Sequence, residues 1–229
     1  MKILALEFSS WRRSVAAVEG DRICGRAEET TSRETRALHL VATTLEAAGW
    51  ERQQVEAIAV GLGPGSYTGV RLAIALAQGW QLALGTKTIG VSSAEALAAA
   101  AQEEGLRGRV NIVIDAQRNE LYLATYEIEA VAWRAVESLR LASVEEARGR
   151  AERGEVITGP GAPACCATGR ALFPGASTIG RLAAARGDFV PGEKLEPIYL
   201  REVAFVKAPL PRVIPPFPGA PRQGGEVKS

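Results

Sequence analysis

Val55-Glu56-Ala57-Ile58-Ala59-Val60-Gly61-Leu62, then Gly63-Pro64-Gly65-Ser66-Tyr67-Thr68-Gly69, then Val70-Arg71-Leu72-Ala73-Ile74-Ala75-Leu76 is the stretch that decides the architecture. The first segment is a nearly continuous apolar run of strand length, the second a cluster of turn formers, and the third opens a helical pattern reaching about Leu84. A strand feeding a helix through a glycine loop belongs to an α/β arrangement. Toward the N-terminus, residues 2–8, 14–19 and 22–29 read as strands, with Gly20-Asp21 as a turn, so the chain opens as an antiparallel meander. Residues 34–48 carry Leu38, Val41, Ala42 and Leu45 at helical spacing, and Gly49 stands where a C-terminal cap belongs.

Toward the C-terminus, 88–91 suggests one more strand, and Ser92 or Ser93 can cap an Ala-rich helix running to about Glu103. A second unit begins near Gly105-Leu106-Arg107-Gly108. It reads as strands over 110–115, 120–129 and 134–141, a charged helix over 143–153 capped by Ser143, and a strand over 155–158. Helical patterns over 163–172 and 177–186 follow the Gly159-Pro160-Gly161 turn. Six of the 12 prolines lie between Pro209 and Pro221. The expected division is therefore 1–104, 105–204 and a Pro-rich tail over 205–229, the tail being a loosely docked extension.

Composition narrows the function classes. The 229 residues are 47% hydrophobic and 23% charged, the balance of a globular protein. A net charge of +1 gives no electrostatic footprint for gripping nucleic acid, so any nucleic acid this chain serves is expected to be held mostly by something else. Cys24, Cys165 and Cys166 match neither a disulfide framework nor a zinc knuckle and read as reduced thiols in the cytoplasm. The start of the chain is too short in apolar residues for a signal-peptide core. Val70 to Gly85 falls short of the ~20 residues that span a bilayer.

The glycine loop fails each nucleotide or hydrolase fingerprint. No Lys follows for a Walker loop, Gly63, Gly65 and Gly69 are spread too widely for G-x-G-x-x-G, and Ser66 is not flanked as in G-x-S-x-G. Residues 63–69 are expected to form a tight structural turn with positive φ at Gly63 or Gly65, Ser66 or Thr68 capping the next helix. His39, the only histidine, has no companion ligand and reads as a surface or interface side chain. Glu7 ends the first strand where a carboxylate could position a magnesium-bound phosphate, but Phe8 and Trp11 are expected to crowd that turn. Asp115 reads as a turn former. No metal and no cofactor is expected.

The helix after the loop carries Val70, Leu72, Ile74, Leu76, Trp80, Leu82 and Leu84 around most of its circumference, leaving Arg71, Gln78 and Gln81 as a polar strip. Burying them all is worth on the order of 10–20 kcal/mol gross. A helix apolar nearly all round must be covered on several sides. Either it is a central core helix, or one edge of it meets a partner together with the 34–48 helix.

Taken together, Leu62 to Arg71, Ala77-Gln78-Gly79, Gly90-Val91-Ser92-Ser93, Ile114-Asp115-Ala116 with Glu120-Leu121-Tyr122, Thr158-Gly159 with Gly161, and Glu196-Pro197-Ile198-Tyr199-Leu200-Arg201 resemble the TsaB (YeaZ) family over residues 1 to about 205. The resemblance implies a two-lobed actin-like fold of the sugar kinase and Hsp70 ATPase type, with mixed, five-stranded-type sheets and flanking helices. It further implies a non-catalytic subunit that supports TsaD, the enzyme that transfers threonylcarbamoyl to tRNA adenosine, together with a TsaE-like ATPase. In this family the pairing, with TsaD or in a homodimer, runs through the first two helices, here about 34–48 and 68–84. That places Arg36, His39, Leu40, Thr43, Arg71, Ala75, Gln78 and Leu82 at the expected interface.

This chain departs from the family at Leu6-Glu7-Phe8-Ser9, where Ile-Asp-Thr-Ser is usual, and at Arg33, where a His is common. The paired metal histidines of the catalytic paralogue are absent. Two other classes stay open: a nucleotide-dependent phosphotransferase, which would want a small phosphate hairpin after the first strand, and a peptidase, which would need an activated nucleophile and base.

Overall fold

The computed structural model describes residues 1–30 and 36–200. Strands β1 (Lys2–Glu7), β2 (Arg12–Glu19) and β3 (Arg22–Thr30) form the antiparallel meander, and β4 (Ala57–Gly61) and β5 (Lys87–Val91) add to β1 in parallel, giving the order β3-β2-β1-β4-β5. Both faces of β1 and β4 are buried, which is why they read as continuous apolar runs rather than alternating ones. Helices α1 (Ala37–Ala48) and α2 (Tyr67–Leu84) cover one face of this sheet through Leu40, Val41, Leu45, Val70 and Ile74.

The second sheet has four strands rather than five, β6 (Gly108–Asp115), β7 (Glu120–Ile128), β8 (Trp133–Ser143) and β9 (Val156–Thr158), in the order β8-β7-β6-β9. Helix α3 (Ser93–Glu103), capped by Ser92, packs Leu97, Ala98 and Ala101 on this sheet and Ala96 on the first, so it joins the two lobes. Helices α4 (Val144–Glu152) and α5 (Ala162–Cys165) cover the other face, and Ser143 caps α4 as expected. This is the two-lobed, actin-like α/β arrangement that the family resemblance implied.

Two further expectations are corrected. Residues 163–172 form only the single turn of α5. Beyond it the chain runs beside β9, where Arg170 N–H donates to Ile157 O (3.0 Å) and Arg170 O accepts from Gly159 N–H (3.1 Å). The open edge of β9 competes for that backbone and wins. Residues 176–186, read as part of the second unit, form α6 (Ala176–Arg186) and return to the first. Ile179 and Ala183 pack against Ile3, Ala5 and Val18 on the face opposite α1 and α2, and Ala176 N–H donates to Ser14 Oγ (2.9 Å). Without α6 that face would lie open. The expectations for Arg33, Glu34 and the 205–229 tail lie outside the described residues.

Candidate functional site

The glycine loop is seated on the turn between β1 and β2. Gly63 and Gly65 have φ of +84° and +151°, and the Gly63–Pro64 peptide is cis. Ser66 N–H donates to Ser9 O (2.6 Å), and Ser66 Oγ caps α2 by accepting from Gly69 N–H (3.3 Å). A methyl group at Gly69 would stand 2.0 Å from Phe8 O, so only glycine lets the helix start approach that backbone. Gly63, Pro64, Gly65 and Ser66 thus make the turn from β4 into α2, and Tyr67, Thr68 and Gly69 are the first residues of that helix.

Between the lobes lies a cleft of about 730 Å³. Ser9, Trp11 and Arg13 line it beside Tyr67 and Thr68 at the start of α2, with Asp115 and Tyr122 from the second lobe. Phe8 does not crowd this turn, a correction to the sequence reading: it points into the core, fully buried. Trp11 alone reaches the rim, packed edge-on against Phe173 with ring centroids 4.8 Å apart.

Glu7 is fully buried and is not among the cleft-lining residues. Its carboxyl accepts from Ser9 N–H (2.6 Å) and Ser93 Oγ–H (2.9 Å), in space left by Gly61, where a Cβ would lie 2.0 Å from Oε2. Burial pushes its pKa up, and the hydrogen bonds from Ser9 and Ser93 only oppose that. Asp115 is a turn former, its Oδ1 accepting from Gln117 N–H (2.7 Å) ahead of three residues at positive φ, Gln117, Arg118 and Asn119. Among the described residues no group of three or more His, Cys, Asp or Glu side chains could hold a metal ion.

The residues expected at an interface divide into three groups. Arg36, His39, Thr43, Ala75 and Leu82 are exposed, Leu82 at 90%. Leu40 is 4% exposed and belongs to the core, because α1 docks through Ala37, Leu40, Val41, Thr44 and Leu45. It is withdrawn from the interface set, and Leu38, 71% exposed, is the leucine that α1 presents outward. Arg71 and Gln78 are engaged by the chain's own C-terminal segment. Arg71 Nε donates to Tyr199 Oη (3.2 Å) with its guanidinium over the Tyr67 ring, which itself stacks on Tyr199. Gln78 Nε2 donates to Gly192 O (3.0 Å), and Gln81 Oε1 accepts from Gly192 N–H (2.7 Å).

The polar strip of α2 is therefore satisfied internally, while its apolar ring is not. Of the seven large apolar side chains only Val70 and Ile74 are buried; Leu72, Leu76 and Trp80 are half-buried, and Leu82 and Leu84 are exposed. Sequence reasoning missed Leu38 on α1 and Arg13 in the cleft. Strand alternation across Arg12-Arg13 was the available signal for the latter, since it forces one of the two side chains to the inner face.

A family model for tRNA N6-adenosine threonylcarbamoyltransferase (TsaD) matches residues 29–186. The tRNA threonylcarbamoyladenosine biosynthesis protein TsaB of Escherichia coli is 32% identical over 228 residues, covering 91% of this chain and 99% of that protein. The TsaB of Haemophilus influenzae is 34% identical over 158 residues, covering 64% and 66%. Among solved structures, YeaZ from Pseudomonas aeruginosa superposes with a TM-score of 0.73 at 30% identity, covering 87% of this chain and 99% of that one.

Proposed function

The chain belongs to the TsaB (YeaZ) family, and we propose that it serves tRNA threonylcarbamoyladenosine biosynthesis as a non-catalytic partner subunit of a TsaD-like transferase. A TsaE-like ATPase completes the assembly in the cytoplasm, and tRNA is reached only through the complex, in keeping with the near-neutral charge of this chain. A separate catalytic role is disfavoured by the buried carboxyl of Glu7 and by an exposed, unaccompanied His39.

The observation that carries this reading is the outer stripe of α2. Ala75, Gly79 and Leu82 fall one helical turn apart on its exposed side, and among the described residues nothing lies within 4 Å of the open position at Gly79. Small residues beside a projecting leucine let a second helix approach closely. Leu38 extends the apolar surface onto α1, which shares this side of the sheet. Covering each leucine contributes on the order of 2 kcal/mol. Without the partner, the same face pairs two copies of this chain in an isologous dimer.

Light scattering after size-exclusion, on this chain alone and mixed with the TsaD-like subunit of the same organism, tests the reading. A stable mixed complex is expected for the parent and not for Leu82→Glu, which folds normally because position 82 is exposed. Failure of the parent to associate, with or without ATP and the ATPase component, would return attention to a phosphotransferase.

A further inference from the structure

Cys165 and Cys166 are neighbours in the chain and in space. Cys165 closes the single turn α5, Cys166 follows in extended conformation (φ −153°, ψ 149°), and the Cys165 thiol donates to Cys166 Sγ at 3.7 Å. Both backbones are held in place. Arg148 Nε donates to Cys165 O (2.8 Å), Cys166 N–H donates to Ala162 O (3.2 Å), and Gly169 N–H donates to Cys166 O (3.0 Å). A methyl group at Gly169 would stand 2.2 Å from Ala162 O, so the loop after the pair folds tightly back on α5. Cys165, 3% exposed, belongs to the core cluster of Ala147 and Ile157, while Cys166 is half-buried. Both line a cavity of about 490 Å³ with Arg148, Ala151, Pro163 and Thr168.

Adjacent thiols can close a disulfide or share an ion, and the geometry separates the two. A disulfide prefers Cα atoms about 4.4–6.8 Å apart, whereas neighbours across a trans peptide are held at about 3.8 Å, so closing the ring strains the backbone. A bridging ion needs no such closure. Two sulfurs bound about 2.3 Å from one metal at a tetrahedral or trigonal angle stand about 3.8–4 Å apart, close to their present separation. Cys165 is also a poor redox nucleophile: burial, then the bond to Cys166, pushes its thiol up to about 11, so it is protonated at neutral pH. A thiophilic ion displaces such protons as it binds. The charge of Arg148 acts in the same sense, favouring the deprotonated sulfur.

The donor set selects the ion. Two thiols fall short of the four ligands of a structural zinc site, and the third cysteine, Cys24, lies on β3 in the other sheet. Besides Arg148 and the two thiols, the ionisable group on the cavity wall is Glu152, an exposed carboxylate and a hard donor. Copper(I) is soft and is satisfied by two or three ligands, which matches this set. We propose that Cys165 and Cys166 form a dithiolate site for one copper(I) ion, entered from the cavity beside α4 and α5. Two Cu–S bonds form as both thiols release their protons to solvent, with no change of oxidation state, and the complex carries one net negative charge beside the Arg148 guanidinium. The site is independent of the outer side of α1 and α2 and of the assembly proposed above.

Anaerobic titration of the reduced full chain with copper(I), in competition with the chromogenic chelator bicinchoninate, tests the site. One equivalent is expected to pass to the parent chain. Cys165→Ser and Cys166→Ser are each expected to weaken binding by about a hundredfold or more, beyond the loss that removing an outer-shell partner brings, while Cys24→Ser leaves it unchanged. Should the buried Cys165→Ser fail to fold, the half-buried Cys166→Ser carries the comparison. Zinc(II), titrated against a zinc indicator, is expected to bind more weakly than copper(I). Failure of the parent to withdraw copper(I) from the chelator, equal withdrawal by Cys166→Ser, loss of withdrawal in Cys24→Ser, or tighter binding of zinc(II) would overturn the proposal.

Discussion

Glu7 shows how a single position can be read from its neighbours and still be misplaced. A carboxylate at the end of the first strand of an α/β lobe suggests phosphate or magnesium, and only the structure turns it inward against Gly61 and Ser93. Burial raises its folded-state pKa, so the native protein holds this proton more tightly than the unfolded chain does. The resulting stability is complete below the ordinary value of 4.5 and is lost as pH rises through the folded value. Glu7→Gln keeps the shape without the titrating proton: its amide oxygen accepts from Ser9 N–H and its NH2 donates to the Ser93 hydroxyl oxygen. It is expected to melt above the parent at pH 8 and to flatten this part of the pH profile; thermal melts from pH 4 to 9 check this, and parallel profiles would contradict it. Gly69→Ala forces a methyl group onto Phe8 O and is expected to cost about 1–3 kcal/mol or more in urea titration, the usual penalty for overpacking.

Among the elements, α1 marks the limit of what periodicity specifies. Leu38, Val41, Ala42 and Leu45 fit a helical stripe, but so do Ala37, Leu40, Val41, Thr44 and Leu45, and the second set is the buried one. Thr44 decides between them: its hydroxyl donates to Val15 O (3.3 Å), a partner in β2 that no pattern within the helix reveals. The strand, loop and cap at 57–69 were legible in outline because an apolar run, turn-forming glycines and a capping serine are local signals, although the loop also rests on the backbone of Phe8 and Ser9. Helix α4 is held by a polar cluster instead. Arg150, 8% exposed, donates to Asn111 Oδ1 (2.8 Å), Thr125 Oγ1 (3.0 Å), Glu137 Oε2 (2.7 Å) and Glu146 Oε1 (2.9 Å). The hydrogen bond from Arg140, aided by Arg150, holds the Glu146 pKa down at about 2, and the bond from Arg150 lowers that of Glu137. With both folded-state values depressed, this support is present above the ordinary value of 4.5 and is lost as pH falls toward 2. Arg150→Met is expected to destabilise by about 2–4 kcal/mol at pH 7, somewhat below the range for a fully buried pair because the carboxylates are partly exposed. The deficit should shrink below pH 3 in urea titrations, and a pH-independent deficit would show that packing rather than charge is lost.

Across the whole molecule, the order of elements follows from the sequence, but the closure of the chain does not. α6 seals the first sheet from a position 162 residues beyond Ser14, and the polar strip of α2 is occupied by Gly192 and Tyr199 rather than by another protein. Contacts of such separation leave no local periodicity, which is why residues 176–186 read as part of the second unit. A chain ending at Gly175 is expected to lose its cooperative melt, because Ile3, Ala5 and Val18 lose their cover. A retained cooperative melt would show that α6 is dispensable. What closure leaves open is the outer side of α1 and α2, and the proposed assembly rests on that side. The most direct test is threonylcarbamoyl transfer to tRNA, reconstituted from the TsaD-like subunit, the ATPase and this chain. Transfer is expected with the parent chain, and near-background levels are expected when it is omitted or replaced by folded Leu82→Glu; full transfer without the chain, or with that variant, would contradict the account.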